Sequence, residues 1–206
     1  MEITTALTAA ILLVRVYHAD AYAGKDVQAA QKDAAAVLQS AGVTVAWVDC
    51  SSTGSHRPDA ACGRPLGPSE VVLRVVTSSP VEAQPRRTAL GESLIDPRSR
   101  ELPRLATVFA DRVATLADGS PTSRERLLAW AMAHEIGHLL LNTTQHSKRG
   151  LMRASWSQAE LGRRDPRDWT FSKPDVRALR SAMASRSALA EAQIPNPKTQ
   201  IPNSKG

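Results

Sequence analysis

Ala133-His134-Glu135-Ile136-Gly137-His138-Leu139-Leu140-Leu141 is the stretch on which the reading of the whole chain turns. On a helix, residues four apart share a face, so His134 and His138 can present two imidazoles to one metal ion. Glu135 lies beside the first of them. In the pattern His-Glu-x-x-His, two neutral imidazoles hold Zn²⁺ and the carboxylate handles the protons of a water at the metal. The chain has five histidines, and His134, His138 and His146 fall within thirteen residues. Uncharged residues flank the pattern, from Leu127 to Ala133 before it and from Leu139 to Leu141 after it. A polar triad in an apolar helix is costly unless something binds it. The plainer reading is a helix whose histidines merely find hydrogen-bond partners.

Both ends of this helix can be read. Thr122-Ser123-Arg124-Glu125 has the form of a capping box, with Pro121 just ahead, which starts the helix near Ser123. Asn142 closes it, because asparagine tolerates the left-handed conformation that ends many helices. The polar run Asn142-Thr143-Thr144-Gln145 lets the chain turn back and carry His146 toward the metal as third ligand. Three protein ligands and a water make a catalytic zinc site. Glu160, in Trp156-Ser157-Gln158-Ala159-Glu160-Leu161, is the rival third ligand, as in the thermolysin-like class, which takes a glutamate from a downstream helix.

His134-Glu135-x-x-His138, a turn, His146 and then Gly150-Leu151-Met152 resemble the metzincin zinc metalloproteases. Their long motif is His-Glu-x-x-His-x-x-Gly-x-x-His followed by a methionine turn. The likeness covers about twenty residues and implies that Met152 is the turn methionine. The family glycine would fall at Leu141 and its third histidine at Thr144; here the histidine comes two residues later. A bacterial-type variant sharing His-Glu-Ile-Gly-His-Leu-Leu-Leu, a later His-Ser and Gly-x-Met is the form this chain resembles.

At 206 residues and 42% hydrophobic composition, the chain is long enough for a real core and reads as globular. Its net charge of +6 is scattered, with no basic run interleaved with aromatics, so nucleic acid is not expected as a partner. No segment approaches the roughly 20 apolar residues of a membrane span. Leu7 to Val14 and Ala21-Tyr22-Ala23 imitate a leader and its cleavage site, but Glu2 and Arg15 spoil the pattern. Ile11 to Tyr17 reads better as a first strand.

A helical pattern from Lys25 to Ala41, closed by Gly42, leads into a strand over Val43 to Val48. Strand, helix, strand is the signature of a parallel pair. Cys50 and Cys62, the only cysteines, bracket a loop without apolar periodicity. Three readings stand: a disulfide, favoured here and at home outside the cytosol; two free thiols; or a weak metal site with His56. Glu70 to Thr77 is a third strand. Ser78 to Arg104, with four prolines, reads as a surface excursion. By the metzincin likeness, Ala106 to Phe109 is the antiparallel edge strand along the cleft, to which a substrate peptide adds as a further strand; it runs into a short helix before Asp118-Gly119. Trp156, Trp169 and Phe171 read as packing of a lower lobe, with the lining of a specificity pocket as the other reading. Ser172, with Asp175 three residues on, caps a last helix reaching Ala192.

The expectation is an α+β, metzincin-like fold: a twisted mixed sheet with two main helices above the cleft and a small helical C-terminal lobe. Residues 1–192 form one metalloprotease domain, about 1–146 above and 147–192 below, and 193–206 are a disordered tail. The chain is expected to be a monomeric, extracytoplasmic or secreted zinc endopeptidase acting on a peptide or protein substrate. His134, His138 and His146 hold Zn²⁺, and Glu135 is the general base. Alternatives are a thermolysin-like peptidase using Glu160, a zinc-binding regulatory protein without turnover, and a basic interaction protein with an incidental histidine cluster.

Overall fold

Alternating apolar residues lay down a sheet, and the helix carrying the histidines is buried against it. The computed structural model describes residues 10–18, 24–51, 59–77, 89–163 and 165–193. The leader-like residues 1–9 and 19–23, His56, residues 78–88 of the excursion and the tail from 194 onward lie outside the described residues. The elements in chain order are β1 (Ile11–His18), α1 (Gly24–Ser40), β2 (Thr44–Asp49), β3 (Glu70–Val76), β4 (Gly91–Ser93), β5 (Leu105–Phe109), α2 (Ala110–Ala117), α3 (Arg124–Leu141), α4 (Gln158–Gly162) and α5 (Lys173–Ala192). Single 3-10 turns occupy Ala60–Gly63 and Pro166–Trp169.

The five strands form one mixed sheet in the order β2-β1-β3-β5-β4, parallel except for β4. This is a mixed α+β architecture. The period of two puts Leu12, Val14 and Val16 of β1 on the same face as Val71, Leu73 and Val75 of β3 and Ala106 and Val108 of β5. All eight are buried beneath the helices. Val27, Ala30, Ala34 and Leu38 bring α1 onto this core. On the other face Arg15 is buried too, donating to the Arg64 and Pro65 carbonyls and pairing with Glu70. Cys50 and Cys62 are disulfide-bonded, Cα atoms 5.6 Å apart, which tethers the chain leading into that cover.

Ala106 to Phe109 is not the sheet's edge but lies inside β5, parallel to β3 and covered on its other side by β4. The antiparallel edge is Gly91–Ser93, within the stretch expected to be an irregular excursion. Three residues of such composition carry no hydrophobic alternation, so nothing local announces a strand; pairing with β5 creates it.

Every residue of α3 from Leu127 to Leu140 is buried. A helix apolar on all sides belongs in the interior, and this one packs against α1, α2, α5, β4 and β5. Ser123 caps its start by accepting from the Arg126 amide, one residue later than the Thr122 box would place it. Asn142 ends it at φ 48° and ψ 48°. From α5 comes Arg186, 1% exposed, donating to the carbonyls of Pro68, Pro103 and Leu139. Burial, and after it the charge of Arg104, lowers its pKa to about 10, so it stays charged at neutral pH. Among the described residues, no helix is long and apolar enough to cross a membrane.

Candidate metal centre

His134 and His138 stand one helical turn apart on α3, and each is oriented by a carbonyl that can only accept. The Nδ1 of His134 lies 2.8 Å from the Leu151 oxygen and that of His138 lies 2.7 Å from the Thr143 oxygen. Both Nδ1 atoms therefore carry the proton, and in a neutral imidazole the two Nε2 atoms are bare lone pairs. Those lone pairs face each other at 3.0 Å, and the Nε2 of His146 sits 3.3 Å from that of His138. Tetrahedral bonds of about 2.0–2.1 Å to a common ion would place such nitrogens about 3.3 Å apart. The spacing fits.

Protons are a poor substitute for a cation here. Burial, then the neighbouring His138, pushes the His134 pKa down to about 3. Burial also lowers the pKa of His138, and of His146 where its ring is shielded from water. Neutral imidazoles converging on one point are a donor set that suits zinc and its transition-metal neighbours. Among the described residues, these three are the histidine, cysteine or carboxylate group placed to hold an ion.

Glu135 lies at the sheet side of the same turn, 5% exposed. Burial raises its pKa to about 7, against the hydrogen bond from Ser93 and with a smaller push from Glu92. The Ser93 hydroxyl is 2.7 Å from Glu135 Oε2 and 2.9 Å from the Glu135 carbonyl. Gly91, on the same strand, has no side chain because a Cβ there would meet Glu135 Oε1 at 2.7 Å. Leu151 and Met152 form a tight turn after Gly150, whose φ of 77° suits glycine. The turn supplies the carbonyl that orients His134. Met152 is buried against Gly137, where an added Cβ would come within 2.8 Å of its sulfur.

Glu160 is placed elsewhere. Its Oε2 accepts from the Ser157 amide and hydroxyl, both at 2.8 Å, in the capping box of α4. Its Oε1 pairs with Arg153 and Arg163. Trp169 and Phe171 are buried as expected, and Trp169 stacks on Trp130 at 3.8 Å. Trp156 does two things: it packs edge-on against both tryptophans, and edge-on against His134 at 5.8 Å.

A cleft of about 1190 Å³ is lined by Ala89 to Ser93 around β4, by Arg153 to Gln158, and by the three histidines and Glu135. The pairing of Leu90 with Phe109 and Leu94 with Leu105 fixes the hydrogen-bond phase of β4. By alternation, the backbone groups of Gly91 and Ser93 face away from β5, toward the outer side of the sheet. Ser93 and Gly91 escaped the sequence reading of the site, whereas Trp156, one of the aromatics that could line a pocket, does border the cleft. The pattern around Glu135 says nothing about which distant strand supports it.

No family model matches the sequence, and no curated protein does. Among solved structures, the chain is similar to archaemetzincin from Methanopyrus kandleri, with 14% identity, 86% of this chain and 98% of that chain covered, and a TM-score of 0.46.

Proposed function

We propose that this chain is a zinc-dependent endopeptidase working outside the cytoplasm. The observation that carries the reading is the convergence of three Nε2 atoms, those of His134 and His138 3.0 Å apart on α3 and that of His146 3.3 Å from His138, with the buried carboxylate of Glu135 next to them. His134, His138 and His146 would hold Zn²⁺. When bound, zinc supplies Lewis acidity, lowering the pKa of a water it binds toward about 7 and polarising a carbonyl.

The chain's own residues supply the rest. Glu135 Oε2 is held by Ser93, which leaves Oε1 to take a proton from the attacking water and hand it to the leaving amine. An extended peptide adds to the outer side of β4, pairing with the backbone of Gly91 and Ser93, and lies along the cleft past Glu135. Trp156 walls the far side. All of these groups belong to one chain, which suits a monomer. A disulfide persists in oxidising compartments, which supports the placement outside the cytoplasm.

The test is cleavage of a mixed peptide pool by zinc-loaded protein and by Glu135→Ala, with products identified by mass. Loss of the proton carrier should lower kcat by about 10² to 10⁴ while zinc content stays at one per chain. Full turnover by the variant, or wild-type protein that binds no zinc, would overturn the assignment. Zinc bound without any cleavage would favour a regulatory zinc protein.

A further inference from the structure

The three histidines are not held alike. His134 and His138 ride on a buried helix, and a carbonyl fixes each ring. His146 is exposed and lies in a stretch, residues 143–147, without helix or strand. A residue in such a stretch samples many backbone states unless something outside it restricts them. The restriction is at the next position. The Ser147 amide donates to the Met152 carbonyl at 2.7 Å, and the Ser147 hydroxyl lies 3.0 and 3.2 Å from the two carboxylate oxygens of Asp175.

Asp175 belongs to the capping box of α5, where its Oδ2 also accepts from the Ser172 amide and hydroxyl. This carboxylate is itself well anchored. It sits in the first turn of a twenty-residue helix, and Arg186 further along that helix is tied to three carbonyls, among them Leu139 of α3. The loop is braced a second time where the Leu151 amide donates to the Thr170 carbonyl at 2.8 Å.

We propose that Ser147 is a positioning residue for the metal site: through Asp175 it fixes the His146 loop to the start of α5, so that the third ligand is set before an ion arrives. The proposal rests on the three-histidine reading. It makes the C-terminal helix part of what determines metal affinity, although α5 contributes no ligand. By reciprocity, an ion at the histidines tightens the contact between loop and helix.

The variants are Ser147→Ala, which leaves the Ser172–Asp175 cap in place, and Ser147→Thr, which keeps the hydroxyl. Zinc affinity is read by competition with a chromogenic chelator, and the ligand set by the visible absorption of the cobalt-substituted protein. Support of this kind is worth about 10- to 100-fold in metal affinity. Ser147→Ala should lose that much and show an altered cobalt spectrum, and Ser147→Thr should recover most of both. In a His146→Ala background, Ser147→Ala should have no further effect on zinc affinity, because the residue acts through His146. Circular dichroism of the metal-free variants checks that they are folded.

Wild-type affinity and an unchanged cobalt spectrum in folded Ser147→Ala would overturn the proposal and leave the three-histidine site standing. Equal losses in both backgrounds would also overturn it, by making the residue a general support. Absence of zinc binding by wild-type protein would remove both readings.

Discussion

Ser93 offers one hydroxyl proton to two acceptors of the same residue, the carboxylate and the carbonyl of Glu135. It therefore fixes where the carboxylate sits along the cleft without touching a ligand of the ion. Ser93→Ala should lower kcat of the proposed peptidase about tenfold to a hundredfold with little change in KM or zinc content, the cost of a misplaced base. Equal kcat in the zinc-loaded variant would remove Ser93 from the mechanism. Glu70 is a second residue whose environment gives a test. Burial alone would raise its pKa, but hydrogen bonds from Arg64 and Arg15 outweigh it and hold the pKa below the ordinary 4.5. A lowered folded pKa contributes stability that is full above the unfolded value and lost as pH falls through the folded one. Wild-type protein should thus lose stability as pH falls below the ordinary 4.5 and through the lowered folded value, as read by urea midpoints, and Glu70→Gln, weaker at neutral pH, should lose less over the same descent. Parallel curves for the two proteins would contradict the assignment. His134 and His138 were legible because helical spacing puts them on one face, and Glu135 because it completes the His-Glu-x-x-His pattern. Ser93 and Glu135 are 42 positions apart, and no local rule joins them.

At the scale of elements, legibility followed the length of the pattern. The left-handed Asn142 and the Ser172–Asp175 box mark helix ends by side-chain chemistry, and the structure places the end of α3 and the start of α5 there, while α3 is capped by Ser123, one residue past the Thr122 box. The strand, helix, strand opening declares itself through Val and Ile alternation and becomes the parallel pair of β1 and β2. By contrast β4 exists because β5 offers a free side, and its three residues could have been loop in another context. The Cys50–Cys62 bridge is an element-scale constraint of the same nonlocal kind. It spans 12 positions and leads into the segment whose Arg64 and Pro65 carbonyls cover Arg15. Closing a loop of that length stabilises a protein by about 3 kcal/mol in the chain-entropy model. Reduction, or the Cys50→Ala/Cys62→Ala pair, should lower the denaturation free energy by about 2–4 kcal/mol in urea titrations. No measurable change would show that the loop is already ordered by its contacts with Arg15.

Across the whole molecule, α3 is the common wall: the sheet, α1, α2 and α5 all pack against it. Burying His134, Glu135 and His138 in that wall is expensive without partners, and the structure spends two carbonyls and one serine on them. Contacts such as Arg186 to Pro68, 118 positions away, were invisible in the sequence because a single arginine in a helix pattern reads as surface. That long-range pin matters for how an ion would act. The histidines join α3 to the loop of residues 142–150, the Ser147–Asp175 bond joins that loop to α5, and Arg186 returns α5 to α3. An ion that binds this closed circuit and not the unfolded chain must stabilise the fold as a unit. At free zinc 100-fold above Kd the gain is about 2.7 kcal/mol, and in a chain of this size each kcal/mol moves Tm by about 2–4 °C. Zinc should therefore raise Tm by about 5–11 °C in a single cooperative transition, and a chelator should reverse it. His146→Ala should shrink the shift, since two imidazoles bind more weakly than three. A zinc-independent Tm, or a shift of equal size in His146→Ala, would mean that the loop carrying His146 is not closed by the metal.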